Sequence, residues 1–499
     1  MSIEKKISKV LVLALVMLAA TVALGQGQAA GQGMPSGQST KGAVIKGKAP
    51  VNKNVLKVKL PKAEEATLPN GLRIVLLPNN KVPTFTMQMV VLSGGLADKA
   101  DYHGLASFTA GLLREGTAKR SSKDIAEQVD ALGGTLTAGS GMATITSVVT
   151  ASGLVENLDQ MVDIFADVIR NPSFPQAEVD KYKTRTLAFL QFQRSSAQFL
   201  AQEQFSKAIY GDHPAALTAP PAESIKRLTS KDLTEFHSTY YRPNNAILAI
   251  VGDVALKGIM PKLEKAFGDW QKADVPGFPI PAAPVQSAAK IFLIDRPGSV
   301  QTVLTLGTLG IDRTDPDYFA VLLADKVLGG GPSGRLFLNL REDKGYTYGA
   351  YSGFTGSKYR GTWTSSSEVR TDVTEGAMHE FMAELNRLRN EKVPAGELED
   401  AKRSIIGGFA LSLEQPQSLL QNIVTQKLYN LPADYWDSYP QKVSAITAED
   451  VQRVAQKYID MSHLQVVAVG DASKTKSALA KYGTLEVYDA DGKPVTENK

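Results

Sequence analysis

The feature that most constrains this chain is that it carries the same segment twice. "LTSKDLTEFHSTYYRPNNAILAIVGDV" lies near the middle and "ITAEDVQRVAQKYIDMSHLQVVAVGDA" near the end. Thr229 matches Thr447, Asp232 matches Asp450, Tyr240 matches Tyr458, and Gly252-Asp253 matches Gly470-Asp471, each pair 218 residues apart. Upstream, "FPQAEVDKYK" echoes "VPAGELEDAK", with Pro175 against Pro394 at a separation of 219. A separation held so constant marks an internal duplication, so the chain must build one fold twice.

The repeated unit has a physical reading. Thr229 or Thr447 stands at a helix N-cap with an acid three residues on, the capping-box frame with Asp in place of Glu. The helix is expected to end near the tyrosine, and an apolar strand, "AILAIVG" or "LQVVAVG", follows it to Gly-Asp. Earlier in the first copy, "LRIVLLP" and "FTMQMVVLSGG" read as strands, and helices are expected near 103–114, 122–132, 154–170 and 176–208. Strands and helices are partly segregated, which predicts an α+β class. Each half is expected to be a mostly antiparallel sheet covered by helices, with the two halves facing each other as a clamshell.

Boundaries follow from composition. "ADVPGFPIPAAPVQSAA" holds prolines 276, 279, 281 and 284, which exclude a continuous helix or a central strand. The expected organisation is a first domain over 64–272, a Pro-rich linker over 273–288 and a second domain over 289–499. At the N-terminus, Lys5, Lys6 and Lys9 precede "VLVLALVMLAATVALG", with Ala23 and Gly25 placed as a signal peptidase prefers. Residues 1–25 therefore read as a cleaved secretory signal, which implies a periplasmic protein. Residues 26–63 form a Gly-, Gln- and Ser-rich tether that turns basic, with seven lysines and no acid from Lys41 to Lys62. Such a segment suits a solvated linker or weak contact with an anionic membrane surface.

The absence of cysteine excludes disulfides, thiolate metal sites and a cysteine nucleophile. A net charge of +4 over 499 residues is too small for nucleic-acid binding as a main role. The five histidines, His103, His213, His237, His379 and His463, are scattered, and no two lie close in sequence. "HEFMA" from His379 opens like a zinc-peptidase motif, but Ala383 takes the place of its second histidine. "GGGPSG" at 329–334 fits G-x-G-x-x-G, yet a helix-like "YFAVLLADKVL" precedes it where a dinucleotide site needs a strand. It reads as a hinge-like loop. His213 in "YGDHP" reads as a structural loop histidine.

Several landmarks occur in a fixed order: "LPNGLRIVLLP", "ALGGTLTAGSG", "NPSFPQAEV", "YGDHP", "YYRPNNAILAIVGDV" and "LGGGPSGRLFLNLREDKGYTYG". In these, over roughly residues 64 to 475, the chain resembles the pitrilysin or insulinase family, and within it the two-domain members similar to mitochondrial processing peptidase. Active members carry H-x-x-E-H on the first helix of the first domain, where two histidines at i and i+4 bind zinc and the glutamate acts as general base. Laid on this chain, that motif falls on Ser107-Phe108-Thr109-Ala110-Gly111, so both histidines and the base are missing. The third ligand, a glutamate farther along, has no counterpart in 181–202, which holds no carboxylate. No metal ligand is assigned here, and no cofactor is expected in this chain.

The resemblance also implies positive features. Active members place an arginine and a tyrosine, spaced R-x6-Y, in the second domain to hold the substrate and polarise its scissile carbonyl. Arg341 and Tyr348 have that spacing, and both side chains donate hydrogen bonds suited to an oxyanion. The segment Gly134, Thr135, Leu136, Thr137 and Ala138 resembles the family's edge strand, which pairs with an extended peptide. Some members divide the work between two chains. This chain has the profile of the non-zinc subunit of a heterodimeric metallopeptidase, with zinc and H-x-x-E-H on a homologous partner and a peptide as substrate. Two alternatives stay open: a non-catalytic scaffold, and a peptide-binding or chaperone-like protein.

Overall fold

In "RIVLLP" every residue between the two ends is apolar, which fits a strand buried on both faces. The computed structural model, which describes residues 62–495, bears this out and shows what lies on each face. The first sheet contains β1 (Glu64–Thr67), β2 (Arg73–Pro78), β3 (Thr84–Val91), β4 (Thr135–Ser140), β5 (Ser147–Leu154) and β6 (Ala246–Gly252). The second contains β7 (Lys290–Asp295), β8 (Gln301–Leu309), β9 (Thr347–Phe354), β10 (Thr362–Arg370), β11 (Gln465–Gly470) and β12 (Leu485–Tyr488). The orders are β1-β2-β6-β3-β5-β4 and β12-β7-β11-β8-β10-β9. The duplication is therefore a duplication of topology. The outer strand next to β7 is recruited from the C-terminal end of the chain and not from the segment before β7.

Both sheets are mixed with antiparallel pairing in the majority. In the first, only β2 and β6 run parallel. In the second, β7 pairs parallel with both β11 and β12. The α+β class and the two homologous halves stand as expected.

The longer helices are α1 (Leu105–Leu112), α2 (Ser122–Ala131), α3 (Leu158–Arg170), α4 (Gln176–Gln193), α5 (Ala197–Tyr210), α6 (Ser230–Tyr240) and α7 (Leu256–Phe267) in the first half. The second half has α8 (Tyr318–Leu328), α9 (Thr374–Asn390), α10 (Ala395–Ser412), α11 (Pro416–Leu428), α12 (Ala448–Tyr458) and α13 (Ala472–Leu479). Thr229 and Thr447 both form complete capping boxes, with Asp232 and Asp450, and start α6 and α12. The single helix expected over 176–208 is two helices. Arg194, Ser195 and Ser196 break it, and the Ser196 side chain caps α5 by accepting from Phe199 N.

That break has a structural consequence. α5 leaves its own half and covers the second sheet, where Leu200, Phe205 and Ile209 pack with Phe292, Ile294, Val303, Val467 and Val469. Its counterpart α11 does the reverse. Leu419, Leu420, Ile423 and Val424 pack on Val75, Leu77, Val90, Ile247 and Val251 of the first sheet. Each sheet is thus covered on one face by its own helices and on the other by a helix from the opposite half. Ile74 and Leu76 point to the first half's own core while Val75 and Leu77 point to α11, as the period of two in a strand requires. Residues 270–286 contain no helix or strand. His213 fastens this stretch, donating from Nε2 to Pro281 O at 3.0 Å while its Nδ1 accepts from Ala215 N.

Residues 1–61, which include the signal and basic linker expected from sequence, lie outside the described residues. Among the described residues no helix is long and apolar enough to cross a membrane.

Candidate functional site

α1 carries the degenerate positions. Leu105, Phe108 and Leu112 face the core, and Thr109 and Ala110 are buried with them. The helix lacks an N-cap side chain, and Asp98 supplies the acceptors instead. Its Oδ2 accepts from Gly104 N at 2.6 Å and its Oδ1 from Ala106 N at 2.8 Å. Burial pushes the Asp98 carboxyl up to about 7, against the lowering pull of the Ala106 and Gly104 N–H groups.

The face that would carry metal ligands is filled by other groups. A Cβ placed on Gly111 would lie 2.4 Å from Tyr182 Oη and 2.8 Å from its Cζ. Tyr182 comes from α4, and its ring packs edge-on against Phe108 at 4.8 Å between centroids. A tyrosine hydroxyl therefore occupies the volume that a second histidine would need, and Ser107 stands where the first would be. These residues do not fit a zinc ion. Among the described residues no group of three or more His, Cys, Asp or Glu could hold a metal ion. Over Ser107 and Phe108 lies an open cleft of about 470 Å³, walled by α4 and by Thr218, Ala219 and Pro220.

The expected peptide-binding strand is an edge. β4 pairs only with β5, in antiparallel register from Thr135↔Ser152 to Ser140↔Ser147. Gly134 precedes the strand, Leu136 is buried, Thr135 and Thr137 are exposed, and Ala138 is half-buried. A second cleft of about 370 Å³ runs between this edge and α2. The Leu136 carbonyl accepts from Arg114 Nη1 at 2.6 Å, so an incoming strand meets one backbone acceptor already partnered.

In the second half, α8 ends at the glycine-rich loop 329–334, which leads into a helical turn, Arg335–Phe337, and a π-helix, Leu338–Asp343. Arg335 fixes this turn through a two-pronged pair with Glu397, at 2.7 and 2.8 Å. Asn339 adds hydrogen bonds to Glu380 and Glu384. Arg341 lies on the π-helix, half-buried, paired with Glu342 and with its guanidinium 4.9 Å from the Phe337 ring centroid. Gly345, at φ +63°, reverses the chain into β9. β9 is the edge strand of the second sheet, the topological counterpart of β4.

Tyr348 sits where the β9–β10 register shifts between Ser367 and Val369. A bulge of this kind re-aims a side chain, and Tyr348 is 90% exposed. The Thr347 hydroxyl closes the bulge on Glu368 O at 2.7 Å, and Gln198 of α5 reaches the Glu368 carboxylate at 2.7 Å from the other half. Behind the hairpin, Asp325 of α8 accepts from Ser352 Oγ at 2.5 Å and Trp363 Nε1 at 3.1 Å. Burial pushes this carboxyl up to about 6 against those two hydrogen bonds.

The structure thus assigns Arg341 and Tyr348 to one π-helix–turn–strand unit and Gly134–Ala138 to the edge of the other sheet. Tyr182 and the cleft residues Arg185 and Thr218 were not singled out by sequence reasoning. Nothing in their spacing marks them, because they meet α1 only through the packing of α4 and the 211–220 loop.

Comparison with known proteins gives a consistent picture. The profile described as Insulinase (Peptidase family M16) matches residues 73–219, and that described as Peptidase M16 inactive domain matches residues 227–405. The chain is 24% identical over 395 residues to the uncharacterized zinc protease YmxG of Bacillus subtilis, covering 78% of this chain and 94% of that one. It is 26% identical over 401 residues to an uncharacterized zinc protease of Streptomyces coelicolor, covering 78% and 86%. A crystal structure described as a peptidase M16 inactive domain from Pseudomonas fluorescens superposes with a TM-score of 0.77 at 27% identity, covering 82% of this chain and 98% of that one. A protease from Helicobacter pylori shares the fold, with a TM-score of 0.76 at 22% identity over 82% of this chain and all of that one.

Proposed function

This chain belongs to the insulinase, or M16, peptidase family, and from that premise we propose that it is the non-zinc subunit of a two-chain metallopeptidase outside the cytoplasm. Its partner is a homologous chain carrying H-x-x-E-H and the zinc, and its substrate is a peptide. Arg341 and Tyr348 donate hydrogen bonds to the substrate backbone and to the carbonyl oxygen on which charge develops.

The observation that carries this reading is the contrast between the halves. The helix that would hold zinc has the Tyr182 hydroxyl in a ligand's place. The Arg341–Tyr348 unit keeps its spacing, and a bulged edge strand presents Tyr348 to solvent with no hydrogen-bonding partner among the described residues. A bulge with that exposure gains nothing for the core. The apolar run at 10–25 and the lysines of 41–62 support export to a periplasm and weak contact with a membrane surface.

The test is peptide cleavage by this chain mixed with its H-x-x-E-H homologue. Arg341→Ala and Tyr348→Phe are each expected to lower kcat/KM of the pair about 10- to 1000-fold, as loss of an oxyanion donor does. Unchanged cleavage by both variants sinks the reading. A second reading, peptide binding without catalysis, draws support from Phe189, which α4 leaves 57% exposed in the lining of the Ser107 cleft.

A further inference from the structure

The cleft over Ser107 plays no part in the complementation proposed above, yet its chemistry is specific. Its accessible apolar surface comes from Met142, Tyr182, Phe189, Leu190 and Pro220, over a floor of buried Phe108 and Ile225. Its lining contains no Asp or Glu and one cation, Arg185. Arg185 is exposed, is 4.9 Å from the Tyr182 ring centroid, and has no carboxylate partner among the described residues. Neighbouring cations of the same region are engaged: Lys183 donates to Lys226 O and Leu228 O, and Arg194 pairs with Glu203. Thr218, on the opposite wall, has a buried Oγ1 without a hydrogen-bond partner.

An open, largely apolar cleft of this size with one exposed, unpaired guanidinium in its lining is complementary to a carboxylate attached directly beside an apolar group. We propose that the cleft binds the free C-terminal residue of a peptide, its carboxylate on Arg185 and its apolar side chain against Phe189 and Leu190. An aspartate or glutamate side chain matches less well, because it carries its charge at the tip with no apolar group next to it. A peptide is favoured over a fatty acid because the cleft is bounded by Ser140, Gly141 and Met142, at the end of edge strand β4. Gly141 N and O are already partnered, by Thr144 and Gly95, so the main-chain pairing open to a peptide lies along the free edge of β4 that ends at Ser140. The position that lost its zinc ligands thus becomes a site that reads the end of a chain.

This proposal does not rest on Arg341 or Tyr348. Binding to the single chain tests it, while cleavage by the pair tests the complementation, so either can fail alone. The experiment uses the full chain and an N-terminally labelled peptide ending in Phe, as free acid and as C-terminal amide, read by fluorescence anisotropy. The free acid is expected to bind about 10-fold tighter or more, the worth of one charge-assisted hydrogen bond. Arg185→Gln should erase that preference and leave the thermal transition in place, since Arg185 is exposed. Equal affinity for acid and amide, or no binding of either, overturns the proposal. So does binding of decanoate without binding of the free-acid peptide, which would make the cleft a fatty-acid site.

Discussion

Gly111→Ala measures directly whether Tyr182 blocks the space beside residue 111 of α1. Two terms oppose each other. A glycine inside a helix costs up to about 1 kcal/mol relative to alanine, so at an open site the substitution stabilises. Here the new Cβ lies 2.4 Å from Tyr182 Oη, 2.8 Å from Cζ and 3.2 Å from Cε2, all tighter than ordinary van der Waals contact. The ring cannot simply swing aside, because its edge packs on Phe108 at an interplanar angle of 76°. Overpacking of this kind costs about 1–3 kcal/mol. The net expectation is a loss of roughly 0–2 kcal/mol in the wild-type background.

The double-mutant cycle sharpens this. With Tyr182→Ala already present the clash is gone, and Gly111→Ala should then stabilise by about 1 kcal/mol. The coupling energy between the two sites is therefore about 1–3 kcal/mol and has the sign of a steric conflict. The assay is urea unfolding of the four proteins, with hydrogen exchange across α1 to localise the effect. If Gly111→Ala stabilises the wild-type protein by the full helix-propensity gain, Tyr182 is no obstacle and the argument that its hydroxyl fills the space beside residue 111 fails.

Two further predictions concern the scaffold. Asp325 has a folded-state pKa of about 6, above the ordinary 3.8, so the native state holds its proton more tightly than the unfolded state. Stability from this group is therefore present at low pH and is lost as pH rises from about 4 to about 6, by up to about 3 kcal/mol. Asp325→Asn keeps an acceptor for Trp363, and the gap in unfolding free energy between variant and wild type should shift in the variant's favour between pH 4 and pH 7. A pH-independent gap would contradict this. Leu420 is fully buried on the first sheet although it belongs to the second half. Leu420→Ala should cost about 2–5 kcal/mol, and hydrogen exchange should quicken in β6 of the opposite half; protection lost only within α11 would show that the exchanged helices do not couple the halves.

The repeat itself was legible because duplication leaves a constant separation, and capping boxes leave local signatures that need no partner. Thr229 and Thr447 start α6 and α12 for reasons contained within four residues. The α+β class followed from strand and helix periods. The exchange of α5 and α11 was not legible. An apolar helix face states that it must be covered, and carries no information about which sheet covers it. The same limit hid Tyr182, which reaches Gly111 only because α4 packs against α1.

Sequence alone determined that this chain builds one α+β unit twice and carries no H-x-x-E-H, because period, capping and side-chain chemistry are local properties. Tertiary structure alone decided that each half covers the other's sheet, that a bulge turns Tyr348 outward, and that the Tyr182 hydroxyl stands against Gly111. Those are outcomes of packing between segments distant in sequence, where the available volume and the neighbouring groups are set by the whole fold.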